Sequence, residues 1–259
     1  MTVTDSSAAT IEDAPRYARL RVFNIVVGLL FVLQVVGIVA LGKEVSLPIS
    51  AGFLTENPIN VRTPATPEVV FSIGIAMAVA IFLACAAIDH LLVAGPLRRW
   101  YERQLGARAN YARWIEYTFS SSVMIVLLVV IAGIRDLGAV LAVIGCNSAM
   151  ILFGLLMERQ EKPGRADWSA FWFGSVVGLV PWILIVVYII GAPTVPGFVY
   201  VIVVVQFVLF FSFATNMVLQ YLQIGRWKDY LYGEYAYIVL SLTAKTLLAW
   251  LIFGNVLRP

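Results

Sequence analysis

Two ionisable residues of opposite sign lie inside runs that are otherwise free of charge. Lys245 is the only charged residue of the run Tyr235–Leu257, and Glu116 is the only one of Trp114–Ile134. An amine in apolar surroundings loses proton affinity and attacks an aldehyde as the neutral base. The protonated imine so formed keeps one positive charge, which a carboxylate neutralises. The pair therefore admits two readings: a structural ion pair between helices, or a covalent site for an aldehyde cofactor with Glu116 as counterion. Ser241, four residues before Lys245, shares its helix face. It either hydrogen-bonds at this pair or returns its hydroxyl to a helix carbonyl. Arg113, three residues before Glu116, either tunes that carboxylate or anchors a helix end.

Other reactive residues are few. His90, the single histidine, follows Asp89 late in a further apolar run. Read alone, a histidine at a membrane end is ordinarily an interfacial hydrogen-bonder. Cys85 and Cys146 fall inside apolar stretches and suggest no disulfide framework. One histidine with two scattered cysteines makes no usual zinc site. With no phosphate loop and no catalytic triad, the chain is expected not to be an enzyme.

The elements that must position these residues follow from composition. The chain has 259 residues, of which 61% are hydrophobic and only 13% charged, against about 25% charged in soluble domains. Lipid is the better solvent for such a sequence. A helix crossing the membrane needs roughly 20 apolar residues. Spans are expected at Val22–Gly42, Val69–Val93, Trp114–Ile134 and Leu137–Met157. The uncharged stretch Trp168–Gly225 is too long for one span. The run Gly191-Ala-Pro-Thr-Val-Pro-Gly197 divides it, giving Ala170–Ile190 and Phe198–Gln223, and Tyr235–Leu257 is the last. The expectation is an all-α membrane protein, a bundle of seven transmembrane helices over residues 22–257. Residues 1–21 are a polar leading segment, and the acidic start (Asp5, Glu12, Asp13) is unlike a cleavable signal peptide. Lys43–Pro67 reads as an ordered extramembrane loop.

Cytoplasmic loops carry the excess of Lys and Arg. One face collects Arg16, Arg19, Arg21, Arg98, Arg99, Arg103, Arg108, Arg113, Arg159, Lys162, Arg165, Arg226 and Lys228. The other has Lys43, Arg62, Arg135 and Arg258. This places the N-terminus in the cytoplasm, residues 43–67 and the C-terminus outside, and the chain in the plasma membrane. Since the basic residues follow the membrane rule, nucleic-acid binding is not expected.

Several segments resemble the heliorhodopsins. They are Arg-Trp-Ile-Glu-Tyr (113–117), Ser-Ser-Ser-Val-Met-Ile (120–125), Gly-Cys-Asn-Ser-Ala-Met-Ile-Leu-Phe-Gly (145–154), Phe-Trp-Phe-Gly (171–174), Val-Pro-Gly-Phe-Val-Tyr (195–200), Gln-Tyr-Leu-Gln (220–223) and Tyr-Ile-Val-Leu-Ser-Leu-Thr-Ala-Lys (237–245). The likeness covers all seven helices, and an inverted orientation is that family's hallmark. The resemblance implies all-trans retinal held on Lys245 as a protonated Schiff base, Glu116 as its counterion and Ser241 hydrogen-bonded near the pair. It also implies a chromophore pocket lined by Asn147, Met150, Ile151, Trp172, Phe213 and Gln220. Without it, the aromatics and Met150 would read as helix packing. His90 matches a histidine of a polar, water-containing network; Asp89, Tyr117 and Arg113 complete the candidate proton network. Many members carry a second histidine where this chain has Phe31, and Asp89 stands at a position usually apolar. Asp89 is a candidate replacement for that histidine.

A pump needs titratable relays on both sides of the reacting nitrogen. The run Tyr117–Ile134 and the residues after Lys245 within its span hold none, so a relay exists on one side at best. With the resemblance, this implies a non-pumping light sensor with a slow photocycle and a cytoplasmic signalling partner. A light-gated proton or ion channel is the alternative, and a seven-helix transporter without chromophore is a third reading. Ala170, Gly174 and Gly178 form a small-residue stripe that serves either a homodimer, as in the family, or packing within one bundle.

Overall fold

The computed structural model describes residues 6–54 and 66–259, with side chains from Ala14 onward. Asp5 and Arg62 of the long loop lie outside the described residues, as do the side chains of Glu12 and Asp13. Eight α-helices follow in order: α1 (Ser6–Leu41), α2 (Ile75–Ala94), α3 (Arg98–Gly106), α4 (Tyr111–Ile131), α5 (Leu137–Gln160), α6 (Ser169–Gly191), α7 (Gly197–Tyr221) and α8 (Tyr230–Ile252). A π-helical turn, Phe253–Leu257, extends α8. All but α3 are long and apolar enough to cross a membrane. Neighbours pack α1 on α2, α2 on α4, α4 on α5, α5 on α6, and α8 on both α7 and α1. Trp182 closes the ring by packing edge-on against Phe207 and Phe210 of α7. Phe31, Phe82, Leu83, Ile125, Leu127 and Leu128 fill the core.

Three features depart from the sequence reading. First, Val69 to Gly74 is not helical. Glu68–Gly74 is a strand, β2, paired antiparallel with β1 (Ser46–Ala51). The β-branched and aromatic run Val69-Val70-Phe71 suits a strand, and α2 begins only at Ile75. The all-α expectation thus acquires a pair of strands, one inside the loop Lys43–Pro67 and one just beyond it, while residues 55–65 of that loop lie outside the described residues. The pair is tied to the α4–α5 turn by the Ser50 N–H donating to Arg135 O at 2.9 Å. Gly133 permits that turn with φ of +99°, a conformation costly for other residues.

Second, the α2–α4 connection contains α3, which buries Tyr101 and Leu105 and leaves Arg99 and Arg103 exposed. Third, cap residues move the helix starts. Asn110 accepts the Arg113 backbone N–H at 3.1 Å and starts α4 at Tyr111. Asp229 accepts from Leu231 N at 3.1 Å and starts α8 at Tyr230, five residues before the expected boundary. Side-chain acceptors of this kind satisfy the otherwise unpaired first amides of a helix.

Candidate functional site

Lys245 Nζ lies 3.1 Å from Glu116 Oε2 and 2.8 Å from Ser241 Oγ. Both charged side chains are buried. Helix geometry explains how residues at different depths meet. Asn110, at the head of α4, donates through Nδ2 to Glu234 Oε2 of α8 at 2.6 Å, which fixes a common level. From there Glu116 is six residues along α4, ~9 Å, and Lys245 is eleven residues along α8, ~16 Å. Glu116 is therefore shallower than a helix starting near Ala107 would have made it. A helical side chain projects back towards the N-terminus of its helix, so the lysine spans the difference and passes Ser241 on the way. Ser241 is thus engaged at the pair, not with a helix carbonyl. The Tyr117 ring centroid lies 5.0 Å from Nζ, and its hydroxyl donates to Tyr237 O at 3.2 Å.

A cavity of about 20 Å³ opens beside this pair, lined by Asp89, His90, Glu116, Tyr117, Glu234 and Ser241 among others. That is room for a water molecule. Asn24 of α1 sets the state of His90. Asn24 Nδ2 donates to Leu20 O at 3.0 Å, so its Oδ1 accepts from His90 Nδ1 at 2.6 Å. The imidazole then presents Nε2 as its unprotonated nitrogen. Phe31, fully buried, stacks on the ring at 5.8 Å between centroids and 16° between planes. The phenyl ring at the alternative histidine position therefore packs against the histidine that remains.

Arg113 bonds acids other than Glu116. Its guanidinium bonds Glu234 of α8, and its Nη2 lies 2.7 Å from Glu158 Oε1 of α5. The plane also covers the Tyr237 ring, 3.9 Å from its centroid. Glu158 further accepts from Trp114 Nε1, from the Asn110 N–H at 3.0 Å and from the Tyr230 hydroxyl at 3.0 Å. This buried cluster joins α4, α5 and α8 on the N-terminal face. Behind it, Gly154 lets α5 approach α4: a Cβ there would stand 2.4 Å from the Trp114 ring.

The structure gathers some of the expected pocket residues and separates others. Asn147 is buried and donates to Ser121 Oγ at 2.7 Å and Ser122 Oγ at 3.1 Å. Ile151 and Phe213 pack in the cluster of Trp114, Tyr117 and Tyr237, with Phe213 edge-on to Tyr117 at 5.3 Å. Met150 faces Gly174 and Gly178 of α6, where a Cβ on Gly178 would stand 2.2 Å from its sulfur. The small-residue stripe therefore packs within this bundle.

Two residues are not where the resemblance put them. Trp172 is 62% exposed on the outer side of α6. The inward side carries Gly174, Gly178 and Trp182, and a two-residue offset turns a helix by about 200°. Gln220 packs on Gly233 and Tyr230 of α8. Gly233 precedes Lys245 by twelve residues, ~18 Å, so Gln220 serves the N-terminal face. The glutamine at the lysine's level is Gln206, whose Nε2 donates to Ala244 O at 3.1 Å.

Sequence reasoning missed Asn24, Asn110, Glu158, Gln206 and Glu234. Glu158 and Glu234 adjoin polar stretches at helix ends, where nothing in the residue types signals burial. Asn110, a favoured cap residue just before the apolar run, was a legible signal. Gln206, a lone amide in an uncharged span, was a second one.

These residues fit an aldehyde such as retinal. The one lysine within the spans is held by an acid and a hydroxyl, and Glu116 Oε1 is buried without a partner, free to accept a further N–H. Lys245 would hold the group, with Glu116 neutralising it.

The family model described as heliorhodopsin matches residues 20–257. No curated protein matches the chain. Among solved structures, a cyanorhodopsin from the cyanobacterium Tolypothrix sp. is 14% identical, with a TM-score of 0.56 over 91% of this chain and 94% of that one. A light-driven proton pump from Leptosphaeria maculans is 16% identical, with a TM-score of 0.58 over 91% of this chain and 95% of its own. At these identities the likeness establishes the seven-helix fold alone.

Proposed function

The chain belongs to the heliorhodopsin family, and from that membership we propose that it is a non-pumping light sensor with a slow photocycle, using all-trans retinal on Lys245. Membership makes it a retinal-binding, light-sensing, multi-pass membrane protein. We orient its N-terminal face to the cytoplasm of a plasma membrane, since that face carries the basic loops. We assign its output to a cytoplasmic signalling partner and its assembly to a homodimer.

When bound, retinal supplies visible absorption and photoisomerisation. Lys245 Nζ holds the group and one proton. Glu116 stands 3.1 Å away as the opposite charge, and without it a buried cation would be unpaired at a cost of several kcal/mol. Ser241 Oγ, at 2.8 Å, positions the nitrogen.

One observation carries the non-pumping assignment. Among the described residues, every titratable group of the cavity beside Lys245 lies on its N-terminal side. Towards the opposite face stand Gln206 and Thr246, each with a buried unpartnered oxygen but no titratable proton. A proton leaving Nζ enters the cavity near Glu116 and His90 and returns by the same path, so no net charge crosses. Illuminated liposomes should show no sustained pH change with or without a protonophore. Asp89 favours a second reading, a channel, because it adds an acid to the cavity. A steady photocurrent reversing with the proton gradient would establish that, and one persisting at zero driving force would make the protein a pump.

A further inference from the structure

The cavity and the cluster behind it contain four acids, Asp89, Glu116, Glu158 and Glu234, against two basic groups, Arg113 and Lys245. Glu116 is paired with Lys245, and Ser241 and the Tyr117 ring stand beside that pair. Glu158 and Glu234 share Arg113. Five protein donors besides the lysine reach these two: the guanidinium to both, the Asn110 carboxamide, the Asn110 amide, the Trp114 indole and the Tyr230 hydroxyl. Both carboxylates are therefore satisfied by hydrogen bonds as well as by the shared cation.

Asp89 has none of this support. Among the described residues it makes no hydrogen bond and no ion pair. It lies five residues before the end of α2, half-buried, with Cys85 one turn before it and His90 beside it. An ionised carboxyl with neither a donor nor a cation is the costliest member of such a group, and it meets that cost by keeping its proton. His90 is not an alternative store. Its Nδ1 proton is committed to Asn24, and Phe31 covers one face of the ring.

We propose that Asp89 is the proton store of this site, neutral in the dark and the donor that reloads Lys245 Nζ within the cycle. The proposal rests on the retinal assignment above. Light first sends the Nζ proton to Glu116, its nearest acceptor. To reload, the Asp89 O–H bond breaks and leaves its electron pair on the carboxylate, and an N–H bond forms at Nζ, with cavity water bridging the gap. Glu116 then returns its proton through the same water to Asp89. The cycle closes with every proton accounted for and none exported. A donor on α2 also gives a reason for an acid at a membrane-spanning position otherwise suited to an apolar residue.

The test uses the full-length, retinal-bound protein in liposomes. Infrared spectra in the dark should contain a protonated carboxyl band that Asp89→Asn removes. In flash experiments on that variant, loss of the proton from Nζ should proceed as before. Its return should slow by about a hundredfold, the low end of what a positioned general acid contributes. Added azide, a small diffusible acid–base pair, should restore the return rate, and Asp89→Glu should keep it; a merely structural role predicts neither. A return rate in Asp89→Asn equal to that of the unaltered protein, or no dark carboxyl band assignable to Asp89, overturns the proposal. So does light that never deprotonates Nζ. Failure of the retinal assignment itself looks different: no visible absorption band forms at all, in any of these proteins.

Discussion

Arg113→Gln separates the two roles that sequence allows this arginine. In the structure it is the one cation serving two carboxylates, with side chains 6% exposed for Glu158 and 1% for Glu234. Removing it leaves one charge-assisted contact missing from each acid and two like charges facing one another in a dry site. Breaking a buried pair by deleting one partner costs about 3–5 kcal/mol. For a bundle of this size that lowers Tm by on the order of 10 °C. Glu116 keeps its own partner, Lys245, so the absorption maximum of the pigment should hardly move. The assay is thermal bleaching of purified pigment, followed at its visible band. Adding Glu234→Gln should recover part of the loss, with a coupling of about 1 kcal/mol or more. A variant as stable as the parent but displaced in colour would refute this reasoning and make Arg113 a tuner of Glu116.

Other substitutions test the remaining parts of the site. Lys245→Ala should express as a folded bundle without visible colour, and a coloured variant would end the Schiff-base assignment. Glu116→Gln removes the charge 3.1 Å from Nζ and should convert the pigment at neutral pH to a strongly blue-shifted species; a spectrum unchanged by it would make Asp89 or a bound anion the counterion. Gly178→Leu forces a side chain onto the Met150 sulfur and should cost about 1–3 kcal/mol of overpacking, read as faster thermal bleaching. If Gly178→Leu instead yields stable monomers from a dimer, the stripe faces a partner.

The fold was legible wherever composition alone decides it. Seven apolar runs with at most one Asp, Glu, Lys or Arg each have one physical outcome in lipid, because backbone groups there must bond within their own segment. The boundaries were less legible, since apolar content does not distinguish a strand from the first turns of a helix. Val69-Val70-Phe71 satisfied the hydropathy of a span, but pairing with Ser46–Ala51 gives its backbone partners outside the bundle. The caps at Asn110 and Asp229 were written in residue types, and weighing them would have moved both helix starts to their observed places.

The site divides along the same line. Lys245, Glu116 and Ser241 were legible because a buried charge demands a partner and the sequence offered one acid and one hydroxyl at suitable positions. Arg113 misled for the converse reason. Its true partners, Glu158 and Glu234, are separated from it by 45 and 121 residues, and no helical spacing relates them. Trp172 and Gln220 show that residue type survives at a matched position even where its surroundings differ: Trp172 sits two residues from the inward glycine of α6, and Gln220 lies four turns from Gln206. Pairing imposes an order on the whole N-terminal half. Arg113 and the donors around it bond two acids, Lys245 bonds a third, and among the described residues Asp89 makes neither an ion pair nor a hydrogen bond. The titratable residues lining the cavity stand on the N-terminal side of Lys245, and that asymmetry is what the non-pumping proposal rests on.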